Sequence, residues 1–152
     1  MAKLSASAQA FSEIVIEVFR LNGLALDAGE QLSRPAGLTS ARWQVLGVVD
    51  HSPASVADVA RIMGLRRQSV QLTADTLERD GFIEYVDNPH HRRAKLISIT
   101  KTGTRALRAV EERHATWANR LGKRCDRDAL LATLKGLREL REVLERDEGS
   151  IE

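Results

Sequence analysis

"SVADVARIMGLRRQSVQLTADTLERDGFIEYVDNPHHRRAKLISIT", residues 55–100, breaks its pattern at Gly64 and changes its periodicity after Gly81. In the first part Val56, Val59, Ala60 and Met63 recur at helical spacing. Ser55 sits three residues before Asp58, a variant of the capping box with Asp in place of Glu or Gln. Gly64 then offers a turn after a short helix. A second helix follows over 66–80, with Val70, Ala74 and Leu77 on its inward face and Gly81 closing it. Two short helices joined by a tight glycine-containing turn make a helix-turn-helix pattern, which an ordinary helical hairpin also satisfies. After Gly81 the pattern turns β-prone. "FIEYV" and "KLISI" read as two short strands, and "DNPHHRRA" between them reads as a loop. A hairpin placed after a helix-turn-helix is a winged-helix arrangement, and residues 88–96 become its wing.

The flanks are helical. Residues 5–31 carry an apolar stripe of Phe11, Ile14, Val15, Val18 and Phe19. Pro35 and Gly37 break it, Thr39 or Ser40 caps a further helix through "ARWQVLGVVD", and Pro53 ends that one. Beyond Thr100 a long helix runs to about residue 122. "RCDRD" interrupts it, and a last helix from about 126 to 147 carries Leu130, Leu134, Leu137, Leu140 and Leu144. A winged helix is complete without such extensions, so the amphipathic ends are expected to pack against a second copy rather than fold back on their own chain. The expected fold is therefore mostly α with a small β-hairpin wing. Residues 1–37 and 101–152 form a dimerisation region around a DNA-binding domain at 38–100.

Composition narrows the function. The 152 residues are 43% hydrophobic and 29% charged, as in a soluble globular chain. No apolar run approaches the roughly 20 residues of a membrane span, and Gln9, Ser12 and Glu13 interrupt any signal-peptide core. Cys125 stands alone, so no internal disulfide forms and the cytoplasm is the expected compartment. Residues 55–105 hold nine Lys/Arg against six Asp/Glu, a surplus of three; the remainder holds 14 against 15. The positive excess sits on the helix-turn-helix and wing, which points to an anionic partner. There is no Gly-rich phosphate loop, nucleophile elbow or His-x-x-x-His helix, so no enzyme and no cofactor is expected.

The first half of a recognition helix meets base edges. That half carries Arg66, Arg67, Gln68, Ser69 and Gln71: Arg suits guanine, Gln suits adenine and Ser suits either. Leu72 would touch a thymine methyl or lie in the core, the core being the commoner place for an isolated leucine. On the wing, Arg93 is shaped for a minor groove, and Arg92 and Lys95 for phosphates. His90 and His91 would strengthen contact when protonated. Being adjacent in an extended loop they point apart, and with His51, His114 and Cys125 elsewhere no zinc set is expected. Ser40, Arg42 and Ser55 lie near helix starts where phosphate binds, Ser55 equally serving as a cap. Lys123, Arg124 and Arg127 surround Cys125 in sequence, but its reading is incidental.

"LTSARWQVLGVV", "SVADVARIMGLRRQSV", "TLERDGFIEYVDNP" and "HRRAKLISITKTG", in that order, resemble the multiple antibiotic resistance regulator (MarR) family of bacterial transcription factors along nearly the whole chain. The resemblance implies a homodimer with intertwined terminal helices and one winged helix per subunit on a palindromic operator in double-stranded DNA. It implies a regulator released by a redox signal or by a small aromatic or lipophilic effector; a repressor of its own or neighbouring genes is the expectation, and an activator or architectural factor fits the same sequence. Phe19, Trp43 and Trp117 are the large groups available to line an effector pocket. Two positions depart from the family pattern. His91 stands where many members have an Asp that orients the wing arginine, and Leu72 stands where many have a basic residue. A helical protein-interaction module that never touches DNA is the alternative from another class.

Overall fold

The computed structural model describes residues 3–147. Its elements run α1 (Ala6–Ser33), a short 3-10 turn (Arg34–Ala36), α2 (Ser40–Val49), β1 (Ala54–Ser55), α3 (Val56–Met63), α4 (Arg67–Arg79), β2 (Ile83–Val86), β3 (Leu96–Ile99), α5 (Lys101–Gly122) and α6 (Arg127–Asp147). This is the expected helical chain with a β-hairpin wing, with one addition. The sheet has three antiparallel strands in the order β1-β3-β2, and β1 was not expected. Ala54 pairs with Ile97 and Ser55 with Leu96, while β2 matches Ile83 to Ile99 and Tyr85 to Ile97. Two residues are too few to show an alternating pattern, so only the pairing reveals the strand.

The chain divides into two compact units after Glu112, within α5. The first unit holds the core: Leu38, Val45, Leu46, Val49, Val59, Ala60, Val70, Ala74, Leu77, Ile83, Ile97, Leu107 and Val110 are all buried. Val70, Ala74 and Leu77 thus form the inward face of α4 that their spacing predicts. Leu107 and Val110 bring the first half of α5 into the same core, beyond the boundary expected at residue 100. Burying side chains of this size stabilises by about 1.5–3 kcal/mol each.

Local signals set the helix ends. Ser5, Thr39 and Ser55 cap α1, α2 and α3 by accepting from backbone N–H groups. Thr39, not Ser40, is the cap of α2. At the end of α3 the Leu65 N–H donates to the Ala60 carbonyl (2.9 Å) and the Gly64 N–H to that of Arg61. Gly64 makes this closure possible, since its φ of +63° suits a residue without a side chain. Gly64 thus closes α3 with a left-handed cap, three residues before α4 begins.

One buried group is unsatisfied. The Ser33 hydroxyl, at the end of α1, is fully buried and has no hydrogen-bond partner among the described residues. A buried hydroxyl left unpaired costs about 1–3 kcal/mol. Ser33→Ala removes it with almost no change in shape, so the variant is expected to melt higher by a few degrees in calorimetry. A lower melting temperature would mean that the hydroxyl is paired in solution.

The second unit is the rest of α5 followed by α6. Trp117, Ala118 and Leu121 are half-buried, and the α6 leucines 130, 134, 137 and 144 are exposed. Asp126 starts α6, accepting from the Ala129 N–H at 2.8 Å. Cys125 is exposed in the connecting turn. No helix among the described residues is long and apolar enough to cross a membrane.

Candidate nucleic-acid interface

The first half of α4 and the base of the wing face each other across a groove of about 740 Å³. Arg67, Gln68, Gln71 and Leu72 line it from α4, Arg93, Ala94 and Lys95 from the wing, Tyr85 from β2, and Ser55, Val56 and Ala57 from the start of α3. The structure therefore brings together residues from three of the segments in which the sequence places candidates. Arg66 and Ser69 are exposed beside them on α4, with Arg66 at the N-cap position making no side-chain cap. Leu72 is 63% exposed, which overturns the core reading. It lies about half a turn round from the buried Val70, so the period that buries Val70, Ala74 and Leu77 turns Leu72 outward.

The wing is made of two successive turns. The Asn88 side chain accepts from the His90 N–H (3.0 Å), and its carbonyl accepts from the His91 N–H (3.3 Å). Asn and Pro89 thus fold the first turn by the chemistry that makes this pair a turn signal. The His91 carbonyl then accepts from the Ala94 N–H at 3.1 Å. Arg92 and Arg93 fall at the two central places of this second turn, where both side chains stand out from the backbone. His90, His91, Arg92, Arg93 and Lys95 are exposed. No side chain of Arg92, Arg93 or Lys95 has an ion-pair or hydrogen-bond partner among the described residues. Cations left unpaired on one face are available to an anion. Among the described residues no three of His, Cys, Asp and Glu come together as a metal set.

Arg42 and Ser40 serve the fold instead of offering themselves to phosphate. The Arg42 side chain is only 13% exposed. It donates to the Thr76 hydroxyl (3.2 Å), the Thr76 carbonyl (2.9 Å) and the Gly37 carbonyl (3.4 Å), and pairs with Asp80. Its guanidinium also lies 5.9 Å from the Phe82 ring centre. A cation is thus fixed at the C-terminus of α4, where the helix dipole favours it, and α2 holds the recognition helix in place. Ser40 is buried, donates its N–H to Glu30 (2.8 Å) and accepts from Gln44 (3.4 Å). Ser55 is also largely buried. Its hydroxyl accepts from the Asp58 N–H (3.1 Å) and donates to the Asp58 carboxylate (2.7 Å). That is the cap expected of it, with the short Asp reaching the hydroxyl rather than the backbone.

These bonds perturb three groups. The Arg42 bond, followed by that of Arg79, holds the Asp80 carboxyl below its ordinary value. The Ser55 hydroxyl, followed by Arg61, does the same for Asp58. A depressed carboxylate contributes stability that is complete above its unfolded pKa, about 4, and is lost as the pH falls through its folded value. Asp80→Asn should therefore lower the melting temperature at neutral pH while making it fall less between pH 5 and pH 3, a difference that thermal melts across that range would reveal. Tyr85 moves the other way. Burial, and then its bond to Asp75, raise its phenol far above the usual range and keep it protonated.

The three aromatic candidates sit in different settings. Phe19 is exposed on α1, and Trp43 packs half-buried against the core of the first unit. In the second unit Trp117 lies with its ring centre 5.8 Å from that of His114.

A recognition helix and a cationic wing on one groove, over a helix-turn-helix core, define a winged helix-turn-helix DNA-binding regulator. Residues 36–94 match the sequence profile described as MarR family. The chain belongs to the MarR family of transcription regulators. The uncharacterized protein Rv2011c of Mycobacterium tuberculosis is 40% identical over 129 residues, covering 85% of this chain and 90% of that protein. Two crystal structures share the fold. CouR from Rhodococcus jostii RHA1, bound to p-coumaroyl-CoA, superposes with a TM-score of 0.74 at 24% identity, covering 84% of this chain and 90% of that one. AbsC, a MarR family transcriptional regulator from Streptomyces coelicolor, gives 0.78 at 19% identity, covering 95% and 99%.

Proposed function

We propose that the protein is a homodimeric repressor of its own or neighbouring genes, binding a palindromic operator through two copies of this groove. The observation that carries the reading is the groove itself, where α4 and the unpaired wing cations converge. Arg66, Arg67, Gln68, Ser69, Gln71 and Leu72 enter the major groove. Arg93 reaches the flanking minor groove, and Arg92 and Lys95 hold phosphates with His90 and His91 beside them. Leu72 supplies an apolar contact for a thymine methyl where many relatives have a cation.

The dimer rests on apolar faces that the single chain leaves open. On α1 these are Ile14, Val18 and Phe19; on α6 they are Leu130, Leu134, Leu137 and Leu144. Stripes of this kind exceed what a monomer ordinarily exposes. Residues 1–37 and 101–152 are the dimerisation region in this reading, although the first half of α5 also serves the winged-helix core. A small aromatic or lipophilic effector releases the DNA, a proposal supported by the fold shared with CouR, which binds p-coumaroyl-CoA. A regulator of this kind works in the cytoplasm, on the chromosome.

The test is fluorescence anisotropy on a duplex from upstream of the protein's own gene and on a scrambled duplex, with the mass of the complex measured by sedimentation. Two chains per duplex and a preference of about a thousandfold or more for the upstream DNA are expected. Equally weak binding to both would overturn the reading and favour a helical protein-interaction module.

A further inference from the structure

Gln71 is not free to turn. Its amide nitrogen lies 2.7 Å from Oδ1 of Asp75, one helical turn later on α4, and 3.0 Å from the Tyr85 hydroxyl on β2. The Tyr85 hydroxyl in turn donates to the same Asp75 oxygen at 2.7 Å. The polarity of this triangle is forced. A carboxylate only accepts, so the amide must turn its NH₂ towards Asp75; the reverse orientation would set two oxygens against each other. Tyr85 is half-buried at the foot of the wing and protonated, so the hydroxyl proton is available for Asp75. What remains of Gln71 is its carbonyl oxygen, which has no partner among the described residues, on a side chain that lines the groove.

We propose that Asp75 and Tyr85 make Gln71 an acceptor-only reader, which selects adenine or cytosine over guanine or thymine at one position of the bound DNA. The inference rests on α4 being the helix that enters the major groove. There adenine and cytosine present amino donors, while guanine and thymine present carbonyl acceptors. An unrestrained glutamine would grip adenine with two bonds, donating to N7 while accepting from N6. Here the nitrogen is turned to the protein, so the second bond is lost and adenine keeps no advantage over cytosine. The position reads which strand carries the amino group. Asp75 and Tyr85 are positioning residues, acting through Gln71.

Selection from a pool of randomised duplexes tests this, with wild type, Gln71→Ala, Tyr85→Phe, and the pair Tyr85→Phe with Asp75→Ala. Wild type should enrich a motif with one position where adenine and cytosine occur within about threefold of each other. Both should exceed guanine and thymine by about tenfold, near the low end of what one mismatched base pair costs. Gln71→Ala should level that position alone. The paired variant should move it towards adenine over cytosine, and Tyr85→Phe, which removes only the hydroxyl, should move it partway. Guanine or thymine at the position, a tenfold adenine preference in wild type, or an unchanged profile in the paired variant would overturn the proposal. So would a motif that Gln71→Ala leaves intact, and in that case the DNA-binding reading still stands. If wild type enriches no motif, both fail. A loss of affinity without a change of profile would mark Asp75 and Tyr85 as merely structural, and the proposal would fall.

Discussion

Gly103→Ala is expected to lower stability by about 3 kcal/mol or more, the upper part of the range for overpacking a tight site. A Cβ at Gly103 would stand 2.0 Å from the Phe82 carbonyl oxygen, 2.8 Å from Cγ1 of Ile99 and 3.0 Å from the Phe82 carbonyl carbon. The nearest obstacle is backbone, so no side chain can swing away. Nor can the backbone retreat readily. The Phe82 carbonyl accepts from the Thr100 N–H (3.0 Å) and hydroxyl (3.1 Å), and the same hydroxyl lies 2.7 Å from the Gly81 carbonyl. Thr100 also accepts from the Gly103 N–H at 3.1 Å, capping α5. Four and seven residues further on, Leu107 and Val110 anchor the helix in the core. Intrinsic propensity argues the opposite way, since alanine is better in a helix than glycine by about 1 kcal/mol. The clash is several times larger and sets the sign. For a chain of this size the melting temperature should fall by roughly 6–12 °C. Gly47→Ala on α2, where a Cβ meets nothing within 4 Å, should instead gain up to about 1 kcal/mol. If both variants melt like wild type, the packing of α5 on the strand end is looser than described.

The same motif shows what was legible. That a long helix starts just beyond Thr100 could be read; that Gly103 answers to a carbonyl some twenty residues earlier could not. Periodicity found every α-helix because each carries an apolar face, whether buried like that of α4 or open like that of α6, and the turn chemistry of Asn88 and Pro89 located the wing. It missed β1, whose existence depends on β3 offering a free edge to two residues after Pro53. Leu72 was legible in principle, since the Val70, Ala74 and Leu77 face excludes it. Treating it as an isolated leucine hid that. Arg42 was not legible, because its partners Thr76 and Asp80 lie on another helix and only packing unites them. Gln71 and Asp75 are visibly one turn apart, but the third member of their triangle sits across the groove on β2. The groove residues stood out through charge and position, whereas the bonds that orient them are tertiary.

Removing the wing cations should weaken DNA binding far more than it alters the protein. Arg92 and Arg93 are exposed and make no bonds within the described chain, so Arg92→Ala and Arg93→Ala should change stability by no more than about 0.5 kcal/mol. Their effect on DNA is set by counterion release. Each phosphate neutralised contributes about 0.9 to the slope of log affinity against log salt. A dimer carries two wings, so one arginine lost per chain should reduce the slope by about 2 and both by about 4; a single bound chain would lose half as much. Together the two changes should cost about a hundredfold or more in affinity near physiological salt. The arginines should differ in kind. Arg92→Ala should weaken all sequences alike, because a phosphate contact carries no base information. Arg93→Ala should also erase a preference for A-tract flanks, whose narrow minor groove concentrates negative potential. Anisotropy titrations at four or five salt concentrations, on duplexes with A-tract and mixed flanks, separate these outcomes. An unchanged slope would remove the wing from the interface and leave α4 alone to account for binding. A slope reduced by about 1 per arginine would keep the wing but deny the dimer. The salt dependence thus reports at once which cations touch DNA and how many chains bring them there.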